Sequence, residues 1–373
     1  MRTPFARLAT LLASLVVMLA LAACEEEPAD DPDLEEEDAA ADVEEDTEED
    51  EAADVDEDAE EDEQEPLTVY SGRAEDLVGP ALDDFSEATG IPVEVRYGET
   101  AEMAAQILEE GDNSPADVFF GQDAGALGQL QGEDRLVEIP GELTEEVDER
   151  FRSPEDLWLG TSGRARVIIY NTDALSADEV PDSILDLTDE EWEGRVGWSP
   201  PNGSFQAQVT AMRVELGEDD TAAWLEGMQA NDAQEYENNT AIVEATGAGE
   251  VDLGITNHYY LYRFLEEDPD FAADNHYLDG DDIGAMVNIA GLGVVDTVDD
   301  PDAAYELVDW MLGEEAQTYF ATETFEHPLV PGIEGDPRVP DIEDIDVPEE
   351  LDLADLDDLE GTISLLQETG ALP

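Results

Sequence analysis

The sequence predicts an α/β protein of two lobes, each with a mixed, mostly parallel sheet, joined by two extended crossing strands. From Leu67 onward, short apolar strand-type runs alternate with helix-period segments over short joints, the pattern of parallel strands with helical crossovers. The alternation comes in two blocks, and two long extended passages, Trp158–Tyr170 and Ala285–Val295, separate and follow the second block. The expected boundaries are 67–164 for the first lobe, 165–287 for the second, and 288–373 for the return to the first lobe with C-terminal helices.

Residues before this body are read differently. Arg2 and Arg7 precede an apolar run, Leu8–Leu19, and then Leu21-Ala22-Ala23-Cys24. A charged start, a short apolar core and small residues describe a secretory signal over residues 1–23. The run is too short for a standard spanning helix. Leu-Ala-Ala-Cys resembles the lipobox of bacterial lipoproteins, which implies cleavage before Cys24 and a lipid on its thiol. The implied location is the outer face of the cytoplasmic membrane, or the periplasm where an outer membrane exists. Cys24 is the single Cys in the chain, so no internal disulfide or Cys-based metal site is available. Residues 24–66 add blocks of Asp and Glu without one basic residue, and such a segment repels itself into an extended spacer.

The body then reads element by element. Leu67–Tyr70 is a strand, and Glu75–Thr89 is a helix with Leu77, Val78, Leu82 and Phe85 at helical spacing, ended by Gly90. Ile91–Tyr97 alternates as a strand. Thr100–Glu110 is a helix closed by Gly111, and Asp117–Phe120 is a strand opening into Gln122, Asp123 and a helix over Ala124–Gln131. In the second block, Arg195–Trp198 is a strand whose loop, through Asn202-Gly203-Ser204, enters a helix over Phe205–Leu216. Helices follow over Thr221–Gln229 and Ile242–Gly249. Val251–Thr256 is a strand, Asn257 is placed as a helix N-cap, and a helix runs from His258 to Asp268, stopped by Pro269. Ala303–Gly313, Glu314–Thr322 and about Leu356–Gly370 are helical.

Charge narrows the function. The formal net charge is −89, and 27 of the 102 acidic residues fall in the spacer, leaving 75 outside it. All 13 basic residues are Arg, two of them in the signal. No basic face exists to release counterions from nucleic acid, so nucleic acid is excluded as a partner. Among so few cations, Arg73, Arg164 and Arg166 each need a reason: surface ion pairing or an anion site. Catalytic signatures are missing: there is no Gly-x-Ser-x-Gly elbow, phosphate-loop Lys or His-Glu-x-x-His. An enzyme is not expected.

Binding groups are better represented. Tyr259 and Tyr260 fall in the first turn of a helix just past a strand's carboxyl end, where ligands sit in open α/β sheets. Two adjacent phenols suit core packing, an interface, or a trivalent metal that prefers anionic oxygen. Asn202-Gly203-Ser204 at a helix N-terminus suits an anion. Arg73, Gln122, Asp123, Asn239 and Asn257 fall at other loop ends expected to ring the same crevice.

From Leu67 to about Gly332 the chain resembles the ferric iron-binding periplasmic proteins, the solute receptors of bacterial iron(III) ABC transporters. The matching stretches include L-T-V-Y-S-G-R, S-P-A-D-V-F-F-G-Q-D-A-G-A-L, S-G-R-A-R-V-I-I-Y-N-T-D, G-R-V-G-W-S-P-P-N-G-S-F, N-N-T-A-I-V-E-A, N-H-Y-Y and G-A-M-V-N-I-A-G-L-G-V. The resemblance implies the type-II periplasmic-binding-protein fold, closing on one iron(III) held by a tyrosine pair, here Tyr259 and Tyr260, with a synergistic anion, phosphate or carbonate. It places anion contacts on Asn202, Gly203, Ser204, Asn239 and Asn257. The family's histidine ligand would stand at Ala74 and its glutamate at Gln122, while members with a third tyrosine place it where Ser204 stands. Gln122, Asp123, water and the anion are then left to complete the iron shell, with Arg73 available to the anion. The resemblance also implies a monomer that delivers iron, free or chelated, to an ABC transporter permease. The alternatives on sequence grounds are the same fold binding a small anion without metal, and a surface interaction protein that has lost transport.

A body this acidic repels itself at low salt and is screened at high salt, the expectation for a protein from a saline habitat. The melting temperature should therefore rise with NaCl concentration, and a flat profile would contradict this reading.

Overall fold

The computed structural model describes residues 65–373, apart from 346–347 and 349–350. The expected signal, Cys24 and nearly all of the spacer lie outside the described residues. No helix among the described residues is long and apolar enough to cross a membrane.

The first block folds as β1 (Leu67–Ser71), α1 (Glu75–Thr89), β2 (Val93–Tyr97), α2 (Thr100–Glu110), β3 (Val118–Gly121) and α3 (Ala124–Gly132), with a short turn, α4 (Gly141–Thr144), beyond it. β1 pairs in parallel with β2 and β3, and α1 turns Leu77, Val78, Leu82 and Phe85 into the core, as their spacing requires. The second block runs β5 (Val196–Trp198), α5 (Gly203–Leu216), α6 (Glu218–Ala230), β6 (Gln234–Glu235), α7 (Asn239–Ala248), β7 (Leu253–Asn257), α8 (Tyr259–Glu267) and β8 (Ala273–His276). Here β5 pairs in parallel with β6 and β7.

Between the blocks lies β4 (Trp158–Asn171), which is buried along its whole length. Its first part, Trp158–Ala165, pairs antiparallel with β9 (Val287–Val294), with a bulge between Gly160 and Ser162. Its second part, Arg166–Tyr170, pairs antiparallel with β7. The strand thus changes partner between Ala165 and Arg166. The strand order is β2-β1-β3-β9-β4-β7-β5-β6, so the sheets of the two lobes share β4. Parallel pairing is confined to each block's own strands, and every pairing made by β4 or β9 is antiparallel.

After β9 come α9 (Pro301–Leu312), α10 (Glu314–Thr322) and β10 (His327–Pro328), which pairs with β4 at Ser162 and Gly163. The tail forms a 3-10 turn over Leu353–Leu356 and then α11 (Leu359–Glu368). The turn approaches α3 so closely that a Cβ on Gly125 would stand 2.5 Å from the Leu356 carbonyl oxygen. α11 lies on α5, where Thr362 bonds Thr210 at 2.7 Å and Arg213 meets Asp358 at 2.7 Å.

Three sequence expectations are corrected. Asn257 is the last residue of β7, not a cap, and α8 begins at Tyr259 with no side chain capping it. Gly203 and Ser204 belong to the first turn of α5, so only Asn202 stays outside, capping Ser204 N–H at 3.1 Å. Arg73, Arg164 and Arg166 are not surface residues: each is 1% exposed.

Arg73 forks onto Glu326 through two bonds of 2.6 and 3.0 Å, and Ser162 donates to the same carboxylate at 2.6 Å. Burial works against the charge on Arg73, but Glu326 more than offsets it. Removing one partner of a buried pair strands the other's charge. Glu326→Gln should lower unfolding stability by roughly 3–5 kcal/mol in a denaturant titration; a loss under about 1 kcal/mol would contradict this account.

Candidate metal centre

The site is built where helix N-termini from both lobes face β4. α8 presents Tyr259 and Tyr260, their rings stacked with centroids 4.2 Å apart. Tyr259 is fully buried, and its hydroxyl has no hydrogen-bond partner among the described residues. Burial, then the adjacent Tyr259, pushes the Tyr260 phenol well above its ordinary range, against the pull of Arg164 and Asn239. A metal-free site therefore keeps this phenol protonated, and ionising it requires a strong positive charge beside it.

Arg164 and Arg166 project from β4 at i and i+2, which places them on one face of the strand. Of the 11 arginines in the body, nine have a carboxylate within 4.0 Å among the described residues. The two without one are Arg164 and Arg166. Arg164 donates to Ser204 Oγ at 3.3 Å and to the Ile289 carbonyl at 2.8 Å, which leaves its Nε unpartnered. Arg166 donates to Gln208 Oε1 at 3.1 Å and Asn257 Oδ1 at 2.8 Å, which leaves its Nη2 unpartnered. Burial, reinforced by Arg164, pulls the Arg166 guanidinium down to about 9. In a chain with a large excess of carboxylates, two buried cations without one are a held-open charge.

Ser204 sits at the meeting point. Its hydroxyl receives Gln122 Nε2 at 3.3 Å, Arg164 Nη1 at 3.3 Å and Asn257 Nδ2 at 3.2 Å. A hydroxyl has two acceptor lone pairs, so three donors oversubscribe it and one is free to turn to a ligand oxygen. Asn239 donates to Asn202 Oδ1 at 3.3 Å, and its own Oδ1 is unpartnered. Asp123 caps α3 by accepting from Ala126 N–H at 2.9 Å. Burial raises its pKa against the pull of that bond and of Arg164. Its second oxygen faces Gly203, where a Cβ would lie 3.3 Å away.

The structure thus gathers Gln122, Asp123, Asn202, Gly203, Ser204, Asn239 and Asn257 around one point, with the tyrosine pair close enough to act electrostatically on Arg166. Arg73 feels both tyrosines as well, but Glu326 engages both of its Nη atoms and leaves only Nε open. Among the described residues no group of three His, Cys, Asp or Glu side chains could hold a metal. The oxygens here that can carry a negative charge toward a metal are the two phenols and the second oxygen of Asp123. With surface ion pairing as the alternative, the weight of the pair Arg164-x-Arg166 was not evident. The signal was present: two charges on one face of an otherwise apolar extended run.

The model of the bacterial extracellular solute-binding protein family matches residues 81–344. The Fe(3+)-binding periplasmic protein of Serratia marcescens is 32% identical over 311 residues, covering 82% of this chain and 90% of that one. Iron uptake protein A1 of Synechocystis is 34% identical over 279 residues, 72% of this chain and 77% of that one. Among solved structures, iron-bound HitA from Pseudomonas aeruginosa superposes with a TM-score of 0.76 at 31% identity, covering 82% of this chain and 99% of that one. A Trichodesmium protein in complex with iron and citrate gives 0.70 at 28%, covering the same share of each chain. These likenesses confirm the type-II periplasmic-binding-protein fold, and the matching family is one of solute-binding proteins. The chain belongs to the bacterial extracellular solute-binding proteins, on the branch of the ferric iron-binding periplasmic proteins.

Proposed function

We propose that this protein is the extracytoplasmic receptor of an ABC importer, binding iron(III) with a synergistic anion between its lobes and delivering it to the permease. One observation carries the reading: a buried phenol pair stands within electrostatic reach of two buried guanidiniums that, among the described residues, have no carboxylate within 4.0 Å. A trivalent cation is the charge that ionises buried phenols near neutral pH, as bound metals do for water and thiols. Formal charge supports an anion as well. Iron(III) is matched by two phenolates and the Asp123 carboxylate, so Arg164 and Arg166 are left for a doubly charged anion such as carbonate or hydrogen phosphate. The N-terminus of α5 and the oversubscribed Ser204 supply donors for it. Gln122 is then a donor to the anion or to water, since its amide already turns its nitrogen toward Ser204.

Closure follows from the same contacts. Gln122 on the first lobe meets Ser204 on the second, and Arg263 of α8 pairs with Asp76 of α1 at 2.6 Å. A ligand favours closure only by binding the closed state better, and a metal bridging Tyr259, Tyr260 and Asp123 would do so. Cys24 with its lipid would hold the receptor at the membrane face, on the acidic spacer.

Iron(III) added to the protein should produce a visible phenolate-to-iron charge-transfer band, and Tyr259→Phe/Tyr260→Phe should abolish both the band and iron retention. A surviving band would place the site elsewhere. No band in the unaltered protein, with a melting temperature raised by phosphate alone, would establish an anion receptor instead.

A further inference from the structure

The proposed metal site uses Tyr259 and Tyr260 but leaves their neighbour unexplained. His258 is fully buried, and its imidazole is bonded at both ends. Nδ1 accepts the Ala165 N–H of β4 at 3.1 Å, so the proton resides on Nε2, which donates to the Phe325 carbonyl at 2.9 Å. The main chain of the same residue donates its N–H to the Ala165 carbonyl at 3.0 Å, and Asn275 Nδ2 donates to the His258 carbonyl at 2.8 Å.

Each contact has a physical reason. β7 ends at Asn257, and the chain turns straight into α8 at Tyr259. A strand that stops there would leave the Ala165 N–H buried without an acceptor, at the point where β4 changes partner. The imidazole supplies that acceptor in place of a backbone carbonyl. Its far end reaches the segment after α10, where Phe325 holds φ at +60°, a conformation that non-glycine residues seldom adopt. The next residue is Glu326, which holds Arg73. His327 then stacks on His258 with centroids 4.3 Å apart and planes 20° apart, while Tyr259 meets the His258 ring edge-on at 5.8 Å.

We infer that His258 is the positioning residue of the tyrosine pair, a two-ended pin that fixes the start of α8 against β4 on one side and the Phe325 turn on the other. Two nitrogens on opposite edges of a rigid ring, one accepting and one donating, are what the two partners require. The inference rests on Tyr259 and Tyr260 being the metal ligands. The pin itself never touches the metal; it sets where the two phenol oxygens stand.

The test compares the intact protein with His258→Phe, which keeps a ring but neither bond, and His258→Gln, whose amide can reach the Phe325 carbonyl. Metal-free circular dichroism and melting establish that each variant folds. In folded His258→Phe the charge-transfer band should shift in wavelength and weaken, and iron release to a chelator should quicken roughly tenfold or more, the scale of effect of groups that orient metal ligands. His258→Gln should recover part of both. A purely structural residue would lower the melting temperature but leave the band and release rate of folded protein unmoved, and that result overturns the inference. If the intact protein shows no band with iron, the metal reading fails and takes this one with it; a normal band in the intact protein and in both folded variants defeats the inference alone. Should His258→Phe fail to fold, an unaltered band and release rate in His258→Gln would equally overturn it.

Discussion

One strand, shared by both lobes, sets everything else in place. β4 gives its first part to β9 and its second to β7, and the exchange falls between Ala165 and Arg166. Because successive side chains of a strand face opposite ways, Arg164 and Arg166 point together while Ala165 between them packs against the other side. The strand that joins the lobes therefore also carries the two buried guanidiniums at the candidate site. Moving this register by one residue would turn both guanidiniums into the wrong face.

The charges explain why such a site is possible in this chain. A protein crowded with carboxylates has many ways to neutralise a buried arginine, and it does so for Arg73 through Glu326. Arg164 and Arg166 are instead held by neutral groups: Ser204, Asn257, Gln208 and a carbonyl. Neutral partners orient a guanidinium without cancelling its charge, and that charge remains available to an anionic ligand. The same logic fits Tyr260, whose phenol is pushed well above its ordinary range by burial, so that only a strong positive charge beside it would ionise it. On the proposed reading, an empty and a loaded site would differ by several charges in a low-dielectric cleft, where each counts for more than at the surface.

Much of this was legible in the sequence, and the failures have physical causes. Glu75–Thr89, Thr100–Glu110 and Glu314–Thr322 fold over the residues that their periodicity and bounding glycines indicated. Asn257 was misplaced because asparagine serves equally as a helix cap and as a polar anchor, and only tertiary structure reveals that Arg166 and Ser204 claim its amide. β8 escaped notice because three of its four residues, Asp274, Asn275 and His276, are polar and only Ala273 is buried, and β6 and β10 are two residues long. The tyrosine pair stood out by adjacency alone. Glu326 lies 253 residues from Arg73, and no local pattern could have joined them. The burial of Arg164 and Arg166 depends on β7, β9 and α5 closing over β4, which spacing within one strand cannot announce.

On the proposed reading, iron binding converts the two buried phenols into phenolates. Each conversion releases a proton, so the count of protons displaced per iron tests the claim directly. In a weakly buffered solution at neutral pH, loading from a chelate whose own proton balance is known should release about two protons per iron beyond those the anion gives up, while the Tyr259→Phe/Tyr260→Phe protein should take up no iron and release no protons. Stoichiometric iron uptake with no proton release from the intact protein would contradict the account.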